Sequence, residues 1–155
     1  MKITTLCFLQ TETDLLLAMK KRGFGEGKLN GIGGKVQGDE TPEQALVREA
    51  FEEIEVTLEE DKLEKVAVIY FNFETKSEWN QECHVYFVSE WEGEPTETEE
   101  MRPEWFSKDA LPFNKMWPDD IHWLPKVLAG EKVRCEFFFD DNQKMKEDFT
   151  IDALV

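Results

Sequence analysis

Basic side chains are scarce in this sequence of 155 residues. It contains 18 Lys and Arg residues against 34 Asp and Glu residues, so the formal net charge is −16. Such a surface repels polyphosphate chains and anionic lipid headgroups, and we therefore expect neither a nucleic-acid partner nor a membrane partner. An anionic small molecule can still bind if a cation screens its charge locally.

Cysteine and histidine are also rare. The three cysteines, Cys7, Cys83 and Cys135, are odd in number, form no CxxC pair and lie in apolar stretches. We expect buried, reduced thiols in a cytoplasmic protein. His84 and His122 have no companions at metal-ligand spacing, and no Ser or Cys has a partner His at a spacing typical of a nucleophile.

Long apolar runs and low-complexity segments are missing. No run of about 18 apolar residues predicts a membrane span, and the first ten residues are too short and too mixed to predict a signal peptide. Apolar residues make up 41% of the chain and aromatic residues 12%, which is sufficient for a sizeable core. We expect a single domain over residues 1–155, acting as a monomer.

Apolar periodicity predicts strands interleaved with two substantial helices. Such an order is typical of an α/β protein in which helices pack on the faces of a mixed sheet. The predicted helices begin at Pro42 and cover Asp119–Ala129, and the predicted strands cover 3–9, 15–19, 65–73, 84–88, 133–139 and a segment near Phe149 and Ile151.

The first predicted helix carries an acidic face. Glu49, Glu52 and Glu53 are spaced i, i+3, i+4 and so lie side by side, where like charges repel unless a cation binds between them. A solvated acidic surface is the simple alternative in a protein this rich in acids.

The surrounding spacing favours the cation. Five residues separate Gly34 from Glu40, seven more precede the run Arg48-Glu49-Ala50-Phe51-Glu52-Glu53, and Val56 follows. This pattern resembles the Nudix box, G-x5-E-x7-R-E-U-x-E-E-x-G-U, where U is aliphatic. The chain departs from the box at Glu55, where glycine is usual, and we expect that residue to shift the end of the helix.

The resemblance implies a Nudix α/β/α sandwich and a metal-dependent pyrophosphohydrolase. It implies that Mg²⁺, with Mn²⁺ as the alternative ion, is held by Glu49, Glu52, Glu53 and the carbonyl of Gly34. It also implies that Arg48 orients a catalytic glutamate. Lys35 is either a nearby positive charge for the substrate or an ordinary surface lysine.

Four further segments narrow the resemblance to oxidised purine nucleoside triphosphate hydrolases of the mammalian 8-oxo-dGTP diphosphatase type. The implied reaction converts a substrate such as 8-oxo-dGTP or 2-hydroxy-dATP to monophosphate and pyrophosphate, which sanitises the nucleotide pool. The alternatives are a Nudix hydrolase of a dinucleotide or nucleotide sugar, and a non-catalytic nucleotide-binding module. The segments are MKKRGFG (19–25), LNGIGGKV (29–36), EMRPEWF (100–106) and MWPDD (116–120).

Substrate-contacting roles follow from the same resemblance. Asn30, Asp119 and Asp120 are implied to hydrogen-bond the edge of the purine. Trp117 is implied to stack on the base, and Phe24 and Phe71 to line the pocket. Glu100 is implied to act near the metal. The residues alone leave alternatives: Trp117 and Phe71 in the core, and Asp119 as a helix cap. Leu29 stands where the mammalian enzyme has tryptophan. The pocket residues near Thr4 and in the loop over 74–82, which is longer here, match poorly.

Overall fold

The computed structural model describes all 155 residues, and it confirms the predicted order of strands and helices. The structure also contains two strands, β3 and β6, that were not predicted from the sequence. Neither helix is long and apolar enough to cross a membrane. The elements are β1 (Lys2–Leu9), β2 (Asp14–Lys20), β3 (Leu29–Asn30), α1 (Pro42–Ile54), β4 (Glu64–Phe73), β5 (Gln81–Val88), β6 (Met101–Ser107), α2 (Asp120–Leu128), β7 (Val133–Phe139) and β8 (Thr150–Ala153).

The strands form two sheets. The larger is a mixed, five-stranded sheet in the order β1-β5-β4-β7-β8, in which β1/β5 and β4/β7 are parallel and the other neighbours are antiparallel. The smaller is antiparallel, in the order β3-β2-β6. The predicted mixed sheet is thus confirmed, and a second sheet accompanies it.

Alternate residues of the strands point to two separate cores. On β1, Phe8 belongs to a cluster of 19 buried residues that includes Trp123 of α2. Its neighbours Cys7 and Leu9 belong to a cluster of 13 buried residues that includes Leu46 of α1. Because successive side chains of a strand face opposite ways, the two helices cover opposite faces, as the α/β/α expectation requires.

The start of α1 is fixed by its cap. The Thr41 hydroxyl accepts a hydrogen bond from the Gln44 amide nitrogen at 3.1 Å, and the Gln44 side chain accepts one from the Thr41 amide at 3.0 Å. Pro42 occupies the first helical position, where its missing N–H costs nothing. The buried side chains of Leu46, Ala50 and Ile54 then set the rotation of the helix.

The end of α1 differs from our expectation. Glu55 does not shift the helix end: it adopts the left-handed conformation itself, with φ 60° and ψ 34°, directly after Ile54. The next residue, Val56, is fully buried, so the chain must turn into the core at this point. A non-glycine residue in this conformation costs about 1–2 kcal/mol, and the fold tolerates that cost.

Glu55→Gly should therefore stabilise the protein. Relief of the left-handed strain exceeds the extra chain entropy of glycine, and we expect the free energy of unfolding to rise by about 0.5–1 kcal/mol. Chemical denaturation measures the change. Glu55→Ala keeps the strain and is the matched control; an equal gain in that variant would mean that the side chain, not the backbone, is responsible.

Candidate active site

An acidic cleft lies along α1. It encloses about 500 Å³ and is lined by polar residues alone, with no basic or apolar side chain among them. Half of the lining comes from α1 and half from the segment that precedes β6. The lining residues are Glu49, Glu52, Glu53, Thr98, Glu99 and Glu100.

Arg48 organises one side of this cleft. Its guanidinium donates to both carboxylate oxygens of Glu40, at 2.8 and 3.0 Å, and to the Glu49 carboxylate at 3.0 Å. A further bond reaches the carbonyl of Lys35 at 3.2 Å. The arginine therefore fixes the Glu49 side chain against the loop before α1, which agrees with an orienting role.

Gly33 and Gly34 pack directly against the glutamates of α1. The Gly33 amide donates to the Glu53 carboxylate at 2.9 Å. A Cβ atom on Gly34 would lie 2.6 Å from Oε1 of Glu49, so a side chain at this position would displace the Glu49 carboxylate. Burial, with the neighbouring charge of Glu49, raises the pKa of Glu53 to about 8, although the Gly33 hydrogen bond opposes the shift.

The residues of the cleft fit a hard divalent cation in their chemistry. Carboxylate oxygens are the side-chain ligands that Mg²⁺ prefers, and a cation would offset the unfavourable burial of Glu53. No three carboxylate, imidazole or thiol groups converge on one point as the side chains stand. The hydrogen bonds from Arg48 and Gly33 hold Glu49 and Glu53 in this arrangement.

Glu100 faces the same cleft from its far side. It forms an ion pair with Arg22, and the hydrogen bond from that guanidinium lowers the pKa of the Glu100 carboxyl. Glu100 is thus held ionised, as a base must be. Arg22 was not predicted from the sequence to take part in the site.

A second cavity adjoins the cleft through the two glycines. It encloses about 260 Å³, and Gly33 and Gly34 line it while also contacting the glutamates of α1. Every residue that the sequence analysis assigned to the substrate lines this cavity: Phe24, Asn30, Lys35, Phe71, Trp117, Asp119 and Asp120.

Aromatic rings form one wall of the cavity. The ring of Trp117 lies 5.3 Å from that of Phe24 and 6.3 Å from that of Phe139, between ring centroids. Trp117 is only partly buried, so it is not a plain core residue. Phe71 both lines the cavity and packs on Phe137, at 6.3 Å, and thus combines the two alternatives.

Asp119 and Asp120 form the polar end of the cavity, and both are almost fully buried, at 1% and 2% exposure. Asp119 occupies the cap position of α2 but makes no capping hydrogen bond; its Oδ2 accepts instead from Nε1 of Trp123 at 2.8 Å. The helix-cap alternative is therefore wrong for its side chain. One oxygen of each carboxyl, Oδ1 of Asp119 and Oδ2 of Asp120, has no protein partner.

Three lysines line the cavity, of which the sequence analysis named only Lys35. Lys20 and Lys28 join it, and none of the three forms a salt bridge. Nζ of Lys28 lies over the Trp117 ring, 5.1 Å from its centroid. In a chain of net charge −16, lysines without a carboxylate partner favour an anion. Leu29, by contrast, is buried in the core and does not line the cavity.

Asp120→Asn should stabilise the protein at neutral pH. Burial, and then the adjacent Asp119, raises the pKa of Asp120 well above its usual value. The folded protein thus holds a proton that the unfolded chain releases, and stability falls as pH rises from the ordinary carboxyl range towards the raised pKa. The gain in melting temperature should therefore grow between about pH 4 and 7.

The exposed Asp109 supplies the control for this titration. Asp109→Asn makes the same substitution at an exposed position. A gain for Asp120→Asn that is constant across the range would mean that the asparagine improves packing and that ionisation of Asp120 has no part in the effect.

Comparison with known proteins identifies related sequences and folds. A family model described as NUDIX domain matches residues 2–127. The oxidized purine nucleoside triphosphate hydrolase of Danio rerio is 44% identical over 146 residues, which cover 94% of this chain and 92% of that protein. The Mus musculus protein of the same name is 43% identical over 140 residues, covering 90% and 88%.

A solved structure shows the same architecture. The crystal structure of a MutT protein from Bacillus halodurans superposes with a TM-score of 0.82 and covers 98% of both chains. Its sequence identity is 22%, so the likeness is one of fold.

Proposed function

Because this chain belongs to the Nudix family, we propose that it hydrolyses oxidised purine nucleoside triphosphates such as 8-oxo-dGTP and 2-hydroxy-dATP. The products are the monophosphate and pyrophosphate, and the biological role is sanitation of the nucleotide pool. One observation carries the proposal: an aromatic cavity that ends in two buried carboxyls is also lined by Gly33 and Gly34, which contact the glutamates of the acidic cleft. The names of the two animal relatives support the substrate class.

The cavity has the features that a purine base requires. Trp117 and Phe24 offer aromatic faces, and stacking on such a face stabilises a bound base by about 1–3 kcal/mol. The unpartnered oxygens of Asp119 and Asp120 are available to the edge of the base. Asn30 uses its Oδ1 to accept from the Gly31 amide at 2.8 Å, which leaves its amide hydrogens as donors.

The triphosphate then extends past the glycine wall towards α1. Lys20, Lys28 and Lys35 offset phosphate charge on the cavity side. Nudix hydrolases generally need a divalent metal ion. We propose Mg²⁺, with Mn²⁺ as the alternative, held by Glu49, Glu52, Glu53 and the Gly34 carbonyl. When bound, the ion neutralises phosphate oxygens and activates water.

The remaining residues of the cleft position these groups. Arg48 holds the Glu49 carboxylate through the hydrogen bond at 3.0 Å. Glu100, kept ionised by Arg22, is the proposed base that accepts a proton from the attacking water. We further propose that residues 1–155 act as one cytoplasmic domain and as a monomer, without nucleic-acid or membrane partners.

Neutralising a glutamate of the cleft should abolish turnover without unfolding the protein. We expect Glu53→Gln or Glu52→Gln to lower kcat by about a hundredfold or more, because a charge that balances the cation is lost. Mg²⁺ should also raise the melting temperature of the wild type, since it relieves carboxylate repulsion. Glu55→Gln, at the end of α1 and outside the cleft, is the matched control. Full activity in excess EDTA would rule out the metal-dependent mechanism.

The reaction products distinguish the proposed function from its alternatives. Wild-type protein incubated with 8-oxo-dGTP, and without added pyrophosphatase, should release pyrophosphate and 8-oxo-dGMP in equal amounts by chromatography. Orthophosphate as the first product would contradict the reaction class. Faster hydrolysis of a dinucleotide or nucleotide sugar would indicate another Nudix substrate, and tight binding without turnover would indicate a binding module.

A further inference from the structure

A row of polar side chains continues along the floor of the cavity beyond the two carboxyls. Thr4 of β1 lies opposite Cys83 of β5 in parallel register. The Thr4 hydroxyl donates to Oε1 of Gln81 at 2.9 Å. Burial, followed by the charges of Asp119 and Asp120, raises the pKa of the Cys83 thiol to about 12, although its hydrogen bond with Thr4 opposes the shift.

These contacts make a continuous polar strip, which we define as Asp119, Asp120, Cys83, Thr4 and Gln81. All five residues line the same cavity. The strip therefore presents two carboxyls at one end and a neutral amide at the other. Of these five residues, only the two aspartates were predicted by name to contact the substrate.

The amide of Gln81 is held in one orientation. Its Nε2 donates to the backbone carbonyl of Trp79 at 3.3 Å. A carbonyl oxygen only accepts hydrogen bonds, so a flipped amide would place two acceptors against each other. The Thr4 hydroxyl satisfies Oε1 from the other side. One hydrogen of Nε2 has no protein acceptor, and the strip thus offers a fixed donor to the cavity.

We propose that Gln81 is a specificity-determining residue that donates a hydrogen bond to the carbonyl oxygen that oxidation adds at position 8 of a purine base. The inference rests on the proposed function and extends it to this chain's choice between oxidised and normal bases. An unmodified purine presents C–H at position 8, which cannot accept. A site built to hydrogen-bond one group disfavours the analogue that lacks it. Thr4 is a positioning residue that keeps the donor aimed.

Gln81→Met tests the donor with a side chain of similar length. The ratio of kcat/KM for 8-oxo-dGTP to that for dGTP should fall about three- to tenfold, the loss expected for one neutral hydrogen bond. Gln81→Glu keeps the shape, loses the donor when ionised, and should lower the same ratio. This second variant preserves the test if the methionine disturbs folding.

Thr4 and a distant glutamine supply the controls. Thr4→Val should lower the ratio, and Thr4→Ser, which retains the hydroxyl, should restore it. Gln37→Met removes an exposed amide outside the cavity and should leave the ratio unchanged. If the Gln81 variants lose activity on both substrates equally, the glutamine only braces β1 and β5, and the inference is overturned.

Calorimetric binding of 8-oxo-dGMP and dGMP separates the two proposals because it needs no turnover. Wild-type protein that neither hydrolyses nor preferentially binds the oxidised base would overturn the proposed function and the role of Gln81 together. If wild-type protein prefers the oxidised base in both hydrolysis and binding, and Gln81→Met retains that preference, only the role of Gln81 is overturned. If Gln81→Met loses the preference in both hydrolysis and binding, the proposed function and the role of Gln81 are both supported.

Discussion

The contact between the Gly33-Gly34 segment and α1 is the constraint on which the site depends. The backbone amide of Gly33 donates a hydrogen bond to Glu53. Because Gly34 has no side chain, the Glu49 carboxylate packs directly against its backbone. The same two glycines line the aromatic cavity. The proposed base pocket and the acidic cleft therefore meet at the backbone of these glycines, and a Cβ atom at Gly34 would displace the Glu49 carboxylate. The cap of α1, the hydrogen bonds of Arg48 and the buried face of α1 all hold the helix against these two glycines.

Electrostatics follow from the same arrangement. The chain carries a large negative charge, and its most buried carboxyls, Glu53, Asp119 and Asp120, lie at the two cavities. Burial costs a carboxylate much of its hydration, so these groups are destabilising until a ligand or cation pairs with them. The carboxyls whose ionisation is most costly thus lie where the substrate and its metal are proposed to bind.

Much of the fold and site could be predicted because local patterns encode them. The cap and apolar spacing of α1, the strand alternation and the spacing of the box are readable along the chain. β6 was not, because Met101–Ser107 contains Pro103 and alternates poorly, and it forms a strand only by pairing with β2. Lys20 was given no role, and Thr4 and Gln81 fell in pocket segments that match the family poorly. Strand register, which no single segment reveals, brings all three to the cavity. The conformation of Glu55 likewise depends on where Val56 must be buried.

The two cores have an evolutionary consequence. The helix α1, which carries the proposed metal ligands, packs on one face of the strands, and α2, which begins at Asp120 in the proposed base pocket, packs on the other. Substitutions under α2 or in the loops around the aromatic rings can reshape the base pocket while α1 keeps its own packing. Distant substitutions without shared partners are close to additive. Base choice and phosphate chemistry can therefore diversify separately, and a lineage can change which damaged nucleotide it removes without rebuilding the machinery that cleaves it.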